Sequence, residues 1–120
     1  MKYLCLVYFD PALLASMPPG ERDRLDNDSM DYDETLEARG QLVLAEALQP
    51  PRTAKVVHSR GGRLSQTDGP FIETKEQLGG FILVDVPDLN AAIQVASKIP
   101  LAKYGAIEVR PIAKVERSAS

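Results

Sequence analysis

The sequence predicts an α+β fold, a ferredoxin-like βαββαβ sandwich with one extra β-hairpin. Strand patterns and helix patterns alternate in the order strand, helix, strand, hairpin, strand, helix, strand. Two βαβ-like halves with right-handed crossovers then place both helices on one face of an antiparallel sheet. The 120-residue chain has 44% apolar and 26% charged residues, which are ordinary values for a soluble globular protein.

The first half of the chain is predicted to form a strand, a helix and a second strand. Residues 2–9 are aliphatic, aromatic or β-branched, which is typical of a central strand buried on both faces. Residues 11–20 are predicted to be a loop, and residues 21–39 a helix that ends before Gly40, with Leu25, Tyr32 and Leu36 on its apolar stripe. The other face of the helix indicates a solvated surface rather than a cation site, and it carries Asp23, Asp26, Asp28, Asp31, Asp33 and Glu34.

A strand and a hairpin follow this helix. In residues 41–49, side-chain alternation places four residues on one face, namely Leu42, Leu44, Glu46 and Leu48. Pro50-Pro51 ends the strand. Residues 53–59 and 64–67 are predicted to pair around Arg60-Gly61-Gly62-Arg63, because adjacent glycines tolerate the positive φ of a tight turn.

The second half completes the predicted order. Thr74 and Gln77 fit a capping box, which predicts one helical turn over residues 75–78 before Gly79-Gly80 begins a strand over 80–86. Asp88 is predicted to cap the next helix and Pro100 to stop it. The apolar stripe of that helix is Leu89, Ala92, Ile93, Ala96 and Ile99. The last strand is predicted over residues 106–113, with Ile107 and Val109 on one face and Glu108 and Arg110 on the other.

One domain is predicted over residues 1–115, followed by a polar tail over residues 116–120. The strands at 2–9 and 80–86 are apolar on both faces, so helices on one side would leave the other face exposed. A second copy packing sheet on sheet would bury that face, and a homodimer is therefore predicted.

Composition narrows the possible partners. The net charge of −3 and the scattered basic residues argue against direct DNA or RNA binding. The sequence contains no basic amphipathic helix, which argues against membrane binding. Cys5 is the single cysteine and lies in an apolar run, which favours a buried thiol over a nucleophile and fits a cytoplasmic location. One cysteine and one histidine predict no metal site, and no glycine-rich cofactor motif is present.

The stretch from Thr67 to Phe81 combines turn residues, charges and glycines, and it provides the first candidate site. In Asp68-Gly69-Pro70, aspartate can bond its own backbone, Gly69 is expected to be extended, and proline fixes φ. This shape either serves the fold alone or aims Asp68 and Glu73 into a cleft near Lys75. In the second interpretation, Asp68 is the candidate catalytic carboxylate, and Glu73 and Lys75 bind ligand.

Two further candidates lie on predicted strands. Glu46 is a carboxylate in a row of leucines, and Arg110 is the cation best suited to pair with it. The two residues are interpreted either as a buried ion pair or as part of a ligand site. His58 is interpreted as a half-exposed hairpin residue without an assigned role.

The run Thr67-Asp68-Gly69-Pro70-Phe71, followed by Glu73-Thr74-Lys75-Glu76-Gln77-Leu78-Gly79-Gly80-Phe81, resembles the signature of the DGPF, or YCII-related, domain proteins. The likeness extends to Met1-Lys2-Tyr3, Glu46-Ala47-Leu48-Gln49-Pro50-Pro51, Asp85-Val86-Pro87-Asp88 and Ile107-Glu108-Val109-Arg110-Pro111. It implies a ferredoxin-like fold that pairs as a dimeric α/β barrel. In shorter YCII-type relatives, a His-Asp pair is the proposed active site. Because His58 lies outside the signature, the resemblance transfers only Asp68.

The resemblance implies small bacterial enzymes or ligand-binding proteins, many of them associated with extracytoplasmic-function sigma factors. Two functions are therefore predicted as alternatives. The first is a small-molecule site, with or without catalysis, in a cleft near Asp68. The second is a non-catalytic accessory or regulatory partner of such a sigma factor, and a purely structural domain remains as a third. A concave pocket favours the first alternative, whereas a flat apolar surface favours the second.

Overall fold

The computed structural model of the protein describes residues 1–118, so residues 119 and 120 of the predicted tail lie outside the described range. The elements in chain order are β1 (Lys2–Phe9), α1 (Pro11–Ala15), α2 (Pro19–Ala38), β2 (Leu42–Ala47), β3 (Lys55–Arg60), β4 (Arg63–Asp68), β5 (Gln77–Asp85), α3 (Leu89–Ser97) and β6 (Ala106–Pro111). Short 3-10 helices span Pro51–Thr53 and Pro100–Lys103.

The main sheet has four strands in the order β2-β5-β1-β6, and every neighbouring pair is antiparallel. β1 and β2 therefore run parallel with β5 between them, which is the split βαβ arrangement of a ferredoxin-like fold. The predicted α+β class and strand order are confirmed. β3 and β4 form a separate two-stranded sheet, and we call this hairpin, Lys55–Asp68, the arm.

The hydrophobic core lies between the sheet and the helices α2 and α3. Alternate residues of a strand face opposite sides, so β1 directs Tyr3, Cys5 and Val7 into this core. Leu36 of α2 is fully buried there. The hydroxyl of Tyr32 donates to the backbone oxygen of Val95 at 2.7 Å and thereby ties α2 to α3. Cys5 is a buried free thiol, as predicted.

Local capping signals account for one helix that the sequence analysis missed. α1 lies inside the predicted loop, where the Asp10 carboxylate accepts a hydrogen bond from the Ala12 amide at 2.9 Å and Pro11 occupies the first turn. α2 begins at Pro19, two residues earlier than predicted. α2 ends at Ala38, one residue before the predicted end, and Gly40 follows with a φ of 69°, as expected for a glycine after a helix.

The buried stripe of α3 differs from the prediction. Asp88 caps the helix by accepting from the Ala91 amide at 2.8 Å, as expected. The helix nevertheless ends at Ser97, and Leu89 and Ile93 are each 47% exposed. The residues of α3 that enter the core are Ala92, Val95 and Ala96.

A bulge in β2 breaks the predicted leucine row. Leu42 lies opposite Val84 and Leu44 lies opposite Leu83, so Val43 is an extra residue without a partner in the register. Leu42 consequently packs against the core, while Leu44 and Glu46 point to the other side of the sheet. We call this second side the open face, because α2 and α3 cover the opposite one. Its central residues, Leu4, Leu6, Phe81 and Leu83, are half-buried.

The arm extends the molecule beyond a compact shape. The radius of gyration is 16.9 Å, whereas about 13.6 Å is typical of a compact chain of this length. Every residue of β4 is exposed, and Gly61 and Gly62 form the predicted turn with φ values of 55° and 76°. Within residues 1–118, no helix is both long enough and apolar enough to cross a membrane.

Candidate functional site

Asp68 lies at the base of the arm and not in a cleft. It is the last residue of β4 and pairs with Lys55 of β3, both in the strand register and through a contact between Lys55 Nζ and Asp68 Oδ1. The two side chains are 60% and 82% exposed, respectively. The lysine that pairs with Asp68 is therefore Lys55, and the proximity of Lys75 to Asp68 and Glu73 stays a prediction.

The turn after Asp68 is shaped by glycine. Gly69 has a φ of 93° instead of the extended backbone that was expected, and this region favours glycine because side chains clash there. The Gly69 amide donates to the Ala54 backbone oxygen at 2.8 Å, which closes the base of the arm. This turn directs the following residues, Pro70 to Ile72, back towards the sheet.

Glu46 and Arg110 share the open face but do not meet. Glu46 lies on β2 opposite Phe81, whereas Arg110 lies on β6, three strand spacings or about 14 Å away. Arg110 instead donates from Nη2 to Glu108 Oε2 on its own strand at 2.5 Å. The predicted ion pair between Glu46 and Arg110 is therefore wrong. Glu73 is exposed, and Lys75 lines a surface depression of about 650 Å³ with Asp10 and Tyr104.

A cavity of about 810 Å³ lies at one end of the open face, and we call it the sheet-end cavity. Its floor is formed where three strands lie side by side, with Tyr8 of β1 opposite Leu78 of β5 and opposite Ala106 of β6. Its walls come from the two loops that flank the arm, and they include Leu48, Pro50, Pro51, Pro70, Phe71 and Ile72.

Side-chain hydrogen bonds hold the loop that forms one wall. The Gln77 amide group donates to the backbone oxygens of Ile72 and Thr74 at 2.9 and 2.8 Å. The Thr74 hydroxyl donates to the Glu76 backbone oxygen at 2.6 Å. These are bonds to carbonyl groups, whereas a capping box bonds amide groups, and β5 already begins at Gln77. The predicted helical turn over residues 75–78 is therefore wrong, although the same side chains do organise the loop.

The sheet-end cavity is apolar with a few polar groups. Tyr8, Glu76 and Glu108 belong to its lining. Arg110 is not a lining residue, but it forms an ion pair with Glu108. Its guanidinium group therefore orients the Glu108 carboxylate. Apolar walls with a small number of placed polar groups are the usual composition of a small-molecule site. Asp68 and Glu46 are not part of the lining.

A second, smaller cavity lies on the helix side of the sheet. It has a volume of about 170 Å³ between α2 and the strands β2 and β5, and its lining includes Tyr32, Asp33 and Ala45. Burial raises the pKa of the Asp33 carboxyl above its usual value, so Asp33 differs from the exposed acidic residues of α2 with which it was grouped. Gly80 also lines this cavity, and a side chain there would meet the Glu46 backbone oxygen at 2.8 Å.

Three observations complete the description of candidate residues. His58 is half-buried on the arm, and its ring lies against Phe71 with the ring centroids 6.2 Å apart. In the described part of the chain, no group of three or more His, Cys, Asp or Glu side chains is arranged to hold a metal ion. The sequence analysis missed Tyr8 as a site residue, and it named Glu108 only as the neighbour of Arg110.

The fold and the cavity define a small α+β protein with an open sheet face and a largely apolar cavity at one end of it. The sequence model of the YCII-related domain matches residues 1–116, and the chain belongs to the YCII-related domain family. An uncharacterised protein of Rhizobium meliloti (strain 1021) is 33% identical over 115 residues, which cover 94% of this chain and 93% of the relative.

Among solved structures, the chain is similar to a 5-chloro-2-hydroxyhydroquinone dehydrochlorinase from Burkholderia phenoliruptrix AC1100, solved in complex with 2,5-dihydroxybenzoquinone. The TM-score is 0.56 with 15% sequence identity, and the match covers 94% of each chain. At this identity the likeness concerns the fold, and it agrees with the ferredoxin-like strand order.

Proposed function

We propose that the protein binds a small, largely apolar organic molecule in the sheet-end cavity, with a hydroxyl group of that molecule directed at Glu108. The observation that carries the proposal is the cavity itself. Its volume of about 810 Å³ lies within the range of roughly 300–1,000 Å³ that is usual for small-molecule sites. Its walls would bury an apolar ring, and the carboxylate of Glu108 would accept the hydrogen bond of a hydroxyl group.

The carboxylate proposed to contact the ligand is therefore Glu108, whereas the sequence analysis had named Asp68. Arg110 keeps a role, because its guanidinium orients the Glu108 carboxylate. We also propose a catalytic function, in which a bound hydroxyl that lies against Glu108 would pass its proton to the carboxylate. The fold relative solved with 2,5-dihydroxybenzoquinone supports a compact dihydroxylated ring as a first probe.

A homodimer is also part of the proposal. The open face presents Leu44 and Leu48 to solvent, beside the half-buried Leu4, Leu6 and Phe81. A second copy packed on this face would remove that apolar surface from water. The partnership with a sigma factor stays a prediction, because an apolar protein surface does not distinguish a sigma factor from a second copy.

The binding test uses hydroquinone, a compact dihydroxylated ring whose hydroxyl groups keep their protons at neutral pH, with isothermal titration calorimetry as the readout. A hydrogen bond to a charged group contributes about 1.5–3 kcal/mol, so Glu108→Gln should weaken binding at least about tenfold. Ala106→Trp places an indole in the cavity at an exposed strand position and should abolish binding without unfolding the protein. Glu46→Gln, outside the cavity, is the matched control and should bind as the parent does.

Native mass spectrometry of the purified protein extends the test to ligands other than the probe. A co-purified small molecule that is lost in Ala106→Trp would support the site. If Ala106→Trp binds every detected ligand as tightly as the parent chain, the sheet-end cavity is not the binding site.

A further inference from the structure

Phe71 is an exposed aromatic residue in the wall of the sheet-end cavity. It lines the cavity together with three prolines, Pro50, Pro51 and Pro70. Phe71 is 74% exposed, so most of its ring has no contact within its own chain. A phenylalanine ring carries a large apolar surface that is more stable out of water. An exposed ring in the wall of a concave site therefore indicates a surface that a bound ligand would cover.

The backbone on both sides of Phe71 is held by hydrogen bonds. On one side, the Gly69 amide donates to the Ala54 backbone oxygen at 2.8 Å. On the other side, the Gln77 side-chain amide donates to the Ile72 backbone oxygen at 2.9 Å. The loop that carries the ring is thus fixed before a ligand binds, which lowers the entropy cost of binding.

The arm holds one side of the Phe71 ring. His58 of β3 is half-buried, and its ring centroid lies 6.2 Å from that of Phe71 with an angle of 52° between the ring planes. This separation lies within the roughly 4.5–7 Å at which aromatic rings attract each other in tilted arrangements. The contact with His58 therefore restricts the rotamers of Phe71 and leaves the rest of the ring free for a ligand.

We propose that Phe71 makes the sheet-end cavity selective for aromatic rings, and that His58 is the positioning residue for Phe71. The inference rests on the proposed function and deepens it, because it names the ligand class as a hydroxylated aromatic ring and not a saturated one. The phenyl ring has a quadrupole, and it attracts a second aromatic ring beyond the contribution of the buried area. A saturated ring of similar size buries a similar area but lacks this attraction.

Paired titrations of hydroquinone and trans-quinitol in oxygen-free buffer test the selectivity. Quinitol is the fully hydrogenated form of hydroquinone, so the hydroxyl groups of both probes lie at opposite ends of the ring and only hydroquinone is aromatic. A phenol is a stronger hydrogen-bond donor than an alcohol, so the ratio of the two dissociation constants also includes the contact with Glu108. The measured quantity is therefore the change in this ratio between the parent protein and a variant, in which the contribution of Glu108 cancels.

Phe71→Leu replaces the ring by an aliphatic side chain. The position is exposed, so the fold should remain intact by circular dichroism. The preference for hydroquinone over quinitol should fall roughly 2- to 12-fold, which is the range for the attraction of one aromatic pair. Leu64→Ala is the matched control, because Leu64 is 66% exposed on the arm and does not line the cavity. This control should leave the ratio unchanged.

His58→Ala removes the tilted ring contact and leaves Phe71 in place. The preference for hydroquinone should fall at least about twofold, because the Phe71 ring then samples other rotamers. His58→Phe restores an aromatic partner and should recover the parent ratio, whereas a general loss of stability would weaken both probes alike. Val57→Ala changes the neighbouring residue on the other face of the arm and should leave the ratio unchanged.

Each remaining outcome overturns a defined part of the proposal. Equal weakening of both probes in Phe71→Leu would show that Phe71 supplies buried area only, which overturns the selectivity and leaves the cavity as a binding site. Unchanged constants with an altered sedimentation mass would assign the ring to an interface with another chain and overturn the inference. Failure of His58→Phe to recover the ratio would overturn the positioning role. A parent protein that binds neither probe would overturn the cavity proposal and this inference with it.

Discussion

Asp68→Asn tests whether the aspartate of the Asp68-Gly69-Pro70 turn belongs to a ligand site or to the arm. The carboxylate pairs with Lys55, and the two side chains are 82% and 60% exposed. Exposed ion pairs of this kind contribute about 0.2–1 kcal/mol, and salt screens them. The unfolding free energy should therefore fall by less than about 1 kcal/mol, and the Tm by no more than about 4 °C.

The assay combines thermal unfolding with titration of hydroquinone. Because Asp68 does not line the sheet-end cavity, its substitution should change the dissociation constant by less than about twofold. Lys55→Gln removes the same ion pair from the other side and should give the same small loss of stability. A tenfold loss of binding in Asp68→Asn, with Lys55→Gln unaffected, would refute this reasoning and return Asp68 to the site.

Two further predictions concern the core. An added Cβ at Gly105 would lie 1.9 Å from the Tyr8 backbone oxygen, so Gly105→Ala should destabilise the protein by about 1–3 kcal/mol or more in urea unfolding. Gly20→Ala, in a helix and with nothing within 4 Å, is the matched control and should be neutral or slightly stabilising. Burial raises the pKa of the Cys5 thiol from 9.0 to about 11. The unfolded thiol therefore loses its proton first, and stability that is complete below pH 9 should be lost as the pH rises towards 11. Cys5→Ala should lack this component, and an equal loss in both proteins would contradict the assignment.

Much of the fold could be predicted because its signals are local. Gly40 ends α2 and Asp88 caps α3 through contacts with residues a few positions away in the chain. The turn glycines at the tip of the arm are equally local. Residues 2–9 were predicted to form a central strand with two apolar faces, and β1 lies between β5 and β6 in the sheet.

Other local signals were ambiguous until the strands were paired. Thr74 and Gln77 match a helix cap in sequence, but the chain there is extended because β5 pairs with β1 from Gln77 onwards. Gly79 and Gly80 were assigned to the end of a helical turn. In the structure both lie within β5, where side chains would meet Phe9 and the Glu46 backbone oxygen.

The sequence by itself determined the family signature, the main strands and the two long helices, and the glycine turn at the tip of the arm, since each depends on neighbouring residues. Only the tertiary structure decided the site. Strand order separated Glu46 from Arg110 by placing them on opposite edges of the sheet. The pairing of β1 with β6 brought Tyr8 beside Ala106 and placed Glu108 in the same cavity, although about 100 residues of chain separate them. No local pattern contains that information, because strand register is set by the packing of the whole sheet.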